Sequence, residues 1–123
     1  MALHELGQVH ISTDAFDEAL AFYRDALGLP VEILVPEQGM AFFRLGATRL
    51  YLSHPADDAF RSRPVLYLTC DDIDAEVAVL AARGVRFVDE PHLVHRGDEH
   101  ELWLAFFEAP DGLRHAVMEQ RAA

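Results

Sequence analysis

Gln8 and His10, two polar side chains that alternate along one short stretch, are equipped by type and spacing to act on a ligand. The Gln8 amide donates and accepts hydrogen bonds, and the His10 imidazole titrates near neutrality. A general-base role for His10 is chemically open, yet no carboxylate is clearly placed in the sequence to orient it. His92, His95 and His100 crowd the stretch from Asp89 to His100. Their spacing matches no closed metal site, so they read as solvated loop residues able to border a pocket. His115 alternates toward the helix side of its strand and reads as a buried structural residue. Cys70 is the only cysteine, which excludes an internal disulfide and a thiolate zinc site. The neighbouring Asp71 and Asp72 disfavour its thiolate, so it is not read as a nucleophile. The chain contains no lysine, which removes Schiff-base and pyridoxal mechanisms.

These residues must be held by elements, and the elements repeat. When residue 8 is laid on residue 65, Gln8-Val9-His10-Ile11-Ser12 falls on Val65-Leu66-Tyr67-Leu68-Thr69. Asp14 then falls on Asp71, Phe16 on Ile73, Leu20 on Val77 and Tyr23 on Leu80. One residue of slip brings Gly28 onto Gly84. Met40-Ala41-Phe42-Phe43 later reads like Leu104-Ala105-Phe106-Phe107. Each copy opens with an alternating strand, followed by a helix capped at Thr13 or Asp14 in the first and at Asp71 or Asp72 in the second. Phe16, Leu20, Tyr23 and Leu27 follow helical spacing, as do Ile73, Val77 and Leu80, and a glycine ends each helix. Three strands should follow each helix, near 31–35, 40–45 and 48–53, then near 86–90, 101–108 and 113–119. Pro110-Asp111-Gly112 reads as a hairpin turn.

The expected fold is therefore α+β: two tandem βαβββ modules, about 5–55 and 62–120, within one domain of 123 residues. Their strands should form a curved mixed sheet around a central cavity, with the helices outside, a natural place for a small-molecule site. On the cavity side stand Gln8, His10 and Tyr51, with Tyr67 as the counterpart of His10 in the second copy. Trp103 lies in a strand apolar on both faces. With Tyr51 and Tyr67 it makes three inward aromatics, the beginnings of a stacking wall for a planar ligand.

The net charge of −11 argues against a nucleic-acid partner, and its main consequence is solubility, with some steering of cationic ligands. No leader and no unbroken apolar run of about 18 residues is evident, so a cytoplasmic protein with no membrane partner is expected.

Three segments carry a resemblance: Ala19-Leu20-Ala21-Phe22-Tyr23-Arg24-Asp25-Ala26-Leu27-Gly28-Leu29, Asp71-Asp72-Ile73 leading to Ala82-Arg83-Gly84-Val85, and Phe107-Glu108-Ala109-Pro110-Asp111-Gly112. Over nearly its whole length the chain resembles the vicinal oxygen chelate superfamily, which includes glyoxalase I, methylmalonyl-CoA epimerase, extradiol dioxygenases and the bleomycin- and fosfomycin-resistance proteins. Ala109 stands where the family usually has Asp before the turn. The resemblance implies a homodimer, with the pocket walled partly by the second subunit. It also implies a divalent metal held by His, Gln or Glu at four strand positions, which fall here on Gln8, Tyr51, Val65 and Ala116. Only Gln8 is a plausible ligand, and about three protein ligands are normally needed. A shift of strand register could bring His10 or His115 to the site, but both strands alternate cleanly.

The reading is then metal-free and without a cofactor, closest in style to the drug-binding resistance members. An aromatic or amphipathic small molecule is bound and sequestered, and catalysis is not the expected role. Its rivals are a metal-dependent glyoxalase-, epimerase- or dioxygenase-type enzyme with displaced ligands, and a metal-free enzyme with His10 as base.

Overall fold

The computed structural model describes residues 2–123, in two compact units, one ending at Pro64 and the other beginning at Val65. The first unit runs β1 (Gln8–Ser12), α1 (Phe16–Ala21), β2 (Val31–Val35), β3 (Met40–Leu45) and β4 (Thr48–Ser53). Its mixed sheet has the order β1-β4-β3-β2, with β1 parallel to β4 and the other neighbours antiparallel. Alternation sorts the side chains. Ile11, Ala41, Phe43, Leu50 and Leu52 are buried together with Leu20 and Tyr23 of the helical segment, and each large one contributes about 1.5–3 kcal/mol by leaving water.

The residue before α1 is Ala15, which supplies no capping side chain; Thr13 Oγ1 instead accepts the Ala15 N–H at 3.0 Å. Beyond Ala21 the helix widens into a π-helical turn, Phe22–Ala26, in which Leu27 N donates to the Phe22 carbonyl at 2.9 Å. Gly28 ends it at φ 74°, a left-handed conformation that costs a residue with a Cβ.

The second unit repeats the plan: β5 (Tyr67–Thr69), α2 (Ile73–Ala82), β6 (His92–Arg96), β7 (His100–Glu108) and β8 (Arg114–Ala122), in sheet order β5-β8-β7-β6. Asp72 caps α2 as expected, its carboxylate accepting the Ala75 N–H at 3.2 Å. Two four-stranded mixed sheets, each with its helix, make the α+β architecture of a doubled βαβββ chain. The Pro110-Asp111-Gly112 turn joins β7 to β8, with Asp111 at φ 64° and Gly112 at φ 72°. Among the described residues no helix is long and apolar enough to cross a membrane.

One strand differs from expectation. The stretch 86–90 makes only an isolated bridge, Phe87 to Phe107, and the strand lies at 92–96, in the segment expected to be a loop. The physical cause is visible along β7. Arg86 and Val88 bond to its far end through Glu108 N and Phe106 O. Asp89 Oδ1 then takes the Phe106 N–H at 2.8 Å, where a ladder carbonyl would otherwise sit. Pro91 interrupts, and pairing resumes at His92↔Leu104. All five residues of β6 are exposed, so an edge strand with water on both faces carries no alternation to read.

Candidate pocket

The register of the first sheet builds the site. His10 pairs with Tyr51 across β1 and β4, and Tyr51 pairs with Phe42 across β4 and β3, so three rings stand in one row on one face. Phe42 and Tyr51 stack at 4.4 Å between centroids and 5° between planes. Tyr51 and His10 follow at 4.9 Å and 38°. Beyond Phe42 the Arg49 guanidinium sits 5.5 Å from the ring centroid, and it also meets Glu32 at 3.1 Å.

A cavity of about 340 Å³ opens beside the His10 end of this row, lined by Gln8, His10, Tyr51, Ser53, His54, Ala56 and Phe60. Its outer wall is the chain leaving β4. That segment folds into a short helical turn, Asp58–Phe60, capped by Asp57 Oδ1 on Ala59 N at 2.8 Å. Ser62 ties the far end down. Its hydroxyl donates to the His10 carbonyl at 2.8 Å and accepts from Ser12 N at 3.0 Å, while its N–H donates to Ser12 Oγ at 2.9 Å. Arg61 bonds Asp14 at 3.2 Å and Asp58 at 3.1 Å, and His54 Nε2 lies 3.4 Å from Asp14.

His10 Nε2 is 2.8 Å from Ser53 Oγ. Partial burial holds the imidazole below its usual pKa, against the opposing pull of the Ser53 and Phe60 carbonyls. It is therefore neutral at neutral pH, flanked by a hydroxyl and backbone carbonyls rather than by a carboxylate. The arrangement suits hydrogen bonding to a ligand beside aromatic contact. Tyr51 has a ring against each of its faces, so it offers an edge and a hydroxyl.

Three of the expected site residues, Gln8, His10 and Tyr51, thus come together. Tyr67 and Trp103 belong to the second unit and do not line this cavity. Tyr67 is 49 % exposed and meets Phe106 edge-to-face at 5.9 Å. Trp103 departs from its expected face. Its register partner is Glu119, which puts it on the side of Ala105 and Phe107, away from Tyr67, Phe106 and Ala116. There its indole N–H donates to Glu101 at 3.0 Å and the Arg121 guanidinium lies 4.4 Å from the ring. The physical reason is that β7 is apolar on both faces, so composition gave the indole no side.

Sequence reasoning missed Phe42, Ser53, His54, Ala56 and Phe60. Ser53 lies two residues beyond Tyr51, so alternation alone could have found it. The wall from His54 to Phe60 carries no periodic signal.

The donor set at the four family positions does not fit a divalent ion. Gln8 and Tyr51 bring an amide and a phenol, and Val65 and Ala116 bring no donor atom. Among the described residues no group of three or more His, Cys, Asp or Glu is placed to hold a metal. His95 and His100 border a shallow second cavity of about 450 Å³ with Asp98, Glu99 and Gln120. His115 is fully buried and Nδ1 accepts the Leu66 N–H at 3.0 Å; burial pushes its pKa down to about 4. The Cys70 thiol is raised by burial and by the nearby Glu76 and Glu119 carboxylates, which keeps it protonated.

Known proteins agree with this fold. The family model described as the Glyoxalase/Bleomycin resistance protein/Dioxygenase superfamily matches residues 5–117. An uncharacterised protein of Mycolicibacterium smegmatis is 30 % identical over 103 residues, 82 % of each chain. Among solved structures, TnmS3, an antibiotic binding protein from a Streptomyces species, superposes with a TM-score of 0.75 at 22 % identity, covering 98 % of this chain and 99 % of its own. The lactoylglutathione lyase of Agrobacterium tumefaciens gives 0.72 at 22 % identity, covering 95 % and 94 %. At such identities the two structures speak for the fold alone, while the family match spans nearly the whole sequence. The chain belongs to the glyoxalase/bleomycin resistance protein/dioxygenase superfamily.

Proposed function

We propose that this protein binds and sequesters an aromatic or amphipathic small molecule without a metal ion, in the manner of a drug-binding resistance protein. The carrying observation is the cavity beside the Phe42–Tyr51–His10 row, apolar for the most part and equipped with a few convergent polar groups. The likeness in fold to an antibiotic binding protein supports the same reading. It includes a cytoplasmic location and a homodimeric assembly.

The test is calorimetric titration with a panel of aromatic natural products, run on metal-free and metal-supplemented protein. At least one should bind with the same affinity in both. Tyr51→Ala should weaken it by about 2 kcal/mol, roughly thirty-fold in Kd, through lost ring contact and burial. Turnover that appears only on adding a divalent metal, with no tight binding in its absence, would replace this reading by that of a metalloenzyme.

A further inference from the structure

We propose that the pocket selects an uncharged planar aromatic molecule whose polar edge carries a hydroxyl or carbonyl group. This charge preference rests on the binding reading above and adds to it what the ligand must lack. Among the described residues, no Asp, Glu or Arg lines the cavity. The polar atoms on offer are the Gln8 amide, the Tyr51 and Ser53 hydroxyls and imidazole nitrogens, all of which pair well with neutral donors and acceptors.

Three of the ions nearest the wall are engaged with one another, and a fourth holds a backbone amide. Asp14 and Asp58 both meet Arg61, and Asp57 accepts the Ala59 N–H. His54 Nε2 sits 3.4 Å from Asp14, so that edge of the ring faces a carboxylate of the chain rather than the ligand. His10 stays uncharged at neutral pH because burial lowers its pKa. An ionised ligand would shed water over this lining and meet no opposite charge, whereas a hydroxyl or carbonyl would keep a partner. The −11 net charge pulls the other way only at long range. It draws cations to the surface and speeds their encounter, but it does not replace a counter-ion inside the pocket.

Three fluorescent probes of one shape separate the possibilities: 9-anthracenemethanol, anthracene-9-carboxylate and 9-(aminomethyl)anthracene, titrated by anisotropy near pH 7.5, where the acid and the amine are ionised. The alcohol should bind about ten-fold more tightly than either ion. Gln8→Glu, which sets a carboxylate in the lining on an exposed strand position, should reverse the order of alcohol and amine. If the carboxylate or the ammonium binds wild-type protein as tightly as the alcohol, the charge preference is overturned while the binding reading stands. An unchanged order in Gln8→Glu overturns it as well, and so does full affinity for the alcohol in Tyr51→Ala, which would place the probe elsewhere. If none of the three binds, the binding reading falls with it.

Discussion

The two sheets share one pairing plan, and their open faces part company most at the central strand. In the first, the row across β1, β4 and β3 reads His10, Tyr51, Phe42; in the second, the row across β5, β8 and β7 reads Tyr67, Ala116, Phe106. Tyrosine in the middle produces three rings in contact. Alanine in the middle lets the outer two rings meet edge-to-face above it, and Ala116 is left with 0 % exposure. The helix-side faces are closer kin. Phe43 beside Leu50 in one sheet answers Phe107 beside His115 in the other, and all four are buried. A repeated backbone therefore fixes where side chains stand, while one residue on the central strand decides whether a face becomes a pocket wall. The same backbone also tolerates an imidazole where its twin keeps a leucine, provided that the ring has an amide to accept from.

The heaviest blow to this likeness is removal of the matched core rings. Phe43→Ala and Phe107→Ala should each cost about 3–5 kcal/mol in urea denaturation. A much smaller loss for one of them would mean that the two cores are not equivalent.

Next comes the residue that distinguishes the cores. The folded pKa of His115 is about 4, below the ordinary 6.5, so the unfolded chain binds the proton first as pH falls. Stability from this group is complete above pH 6.5 and declines by about 3 kcal/mol on the way down to pH 4. His115→Gln, which keeps an acceptor and cannot titrate, should remove that part of the slope. An unchanged slope would show that other groups carry the acid sensitivity.

Smallest is the attempt to make the open faces alike. Ala116→Tyr should cost about 1–3 kcal/mol by thermal denaturation, because Tyr67 and Phe106 already close over that site. A neutral substitution would show that the pair separates easily.

Much of this was legible in the sequence. Period two put Gln8, His10 and Tyr51 on one face, and the repeat supplied both helices with their glycine stops. What escaped had no local signature. β6 is wetted on both sides, and β7 is apolar on both sides, so neither could show its sidedness, and Trp103 was misplaced for that reason. The pocket's outer wall depends on Ser62 reaching Ser12 and His10, some fifty positions away along the chain, and only the folded structure brings those groups together.

The π-helical turn at Phe22–Ala26 has a consequence for how the repeat stays in step. Between its aligned Asp and its stop glycine, the first copy is one residue longer than the second, Asp14 to Gly28 against Asp71 to Gly84. A helix that closes one bond at i+5 rather than i+4 takes in a surplus residue as a local bulge. Downstream strands then need no rephasing. The widened turn acts as a length buffer, so that one extra residue in a helix packed on one face leaves the sheet register, and the pocket built on it, undisturbed.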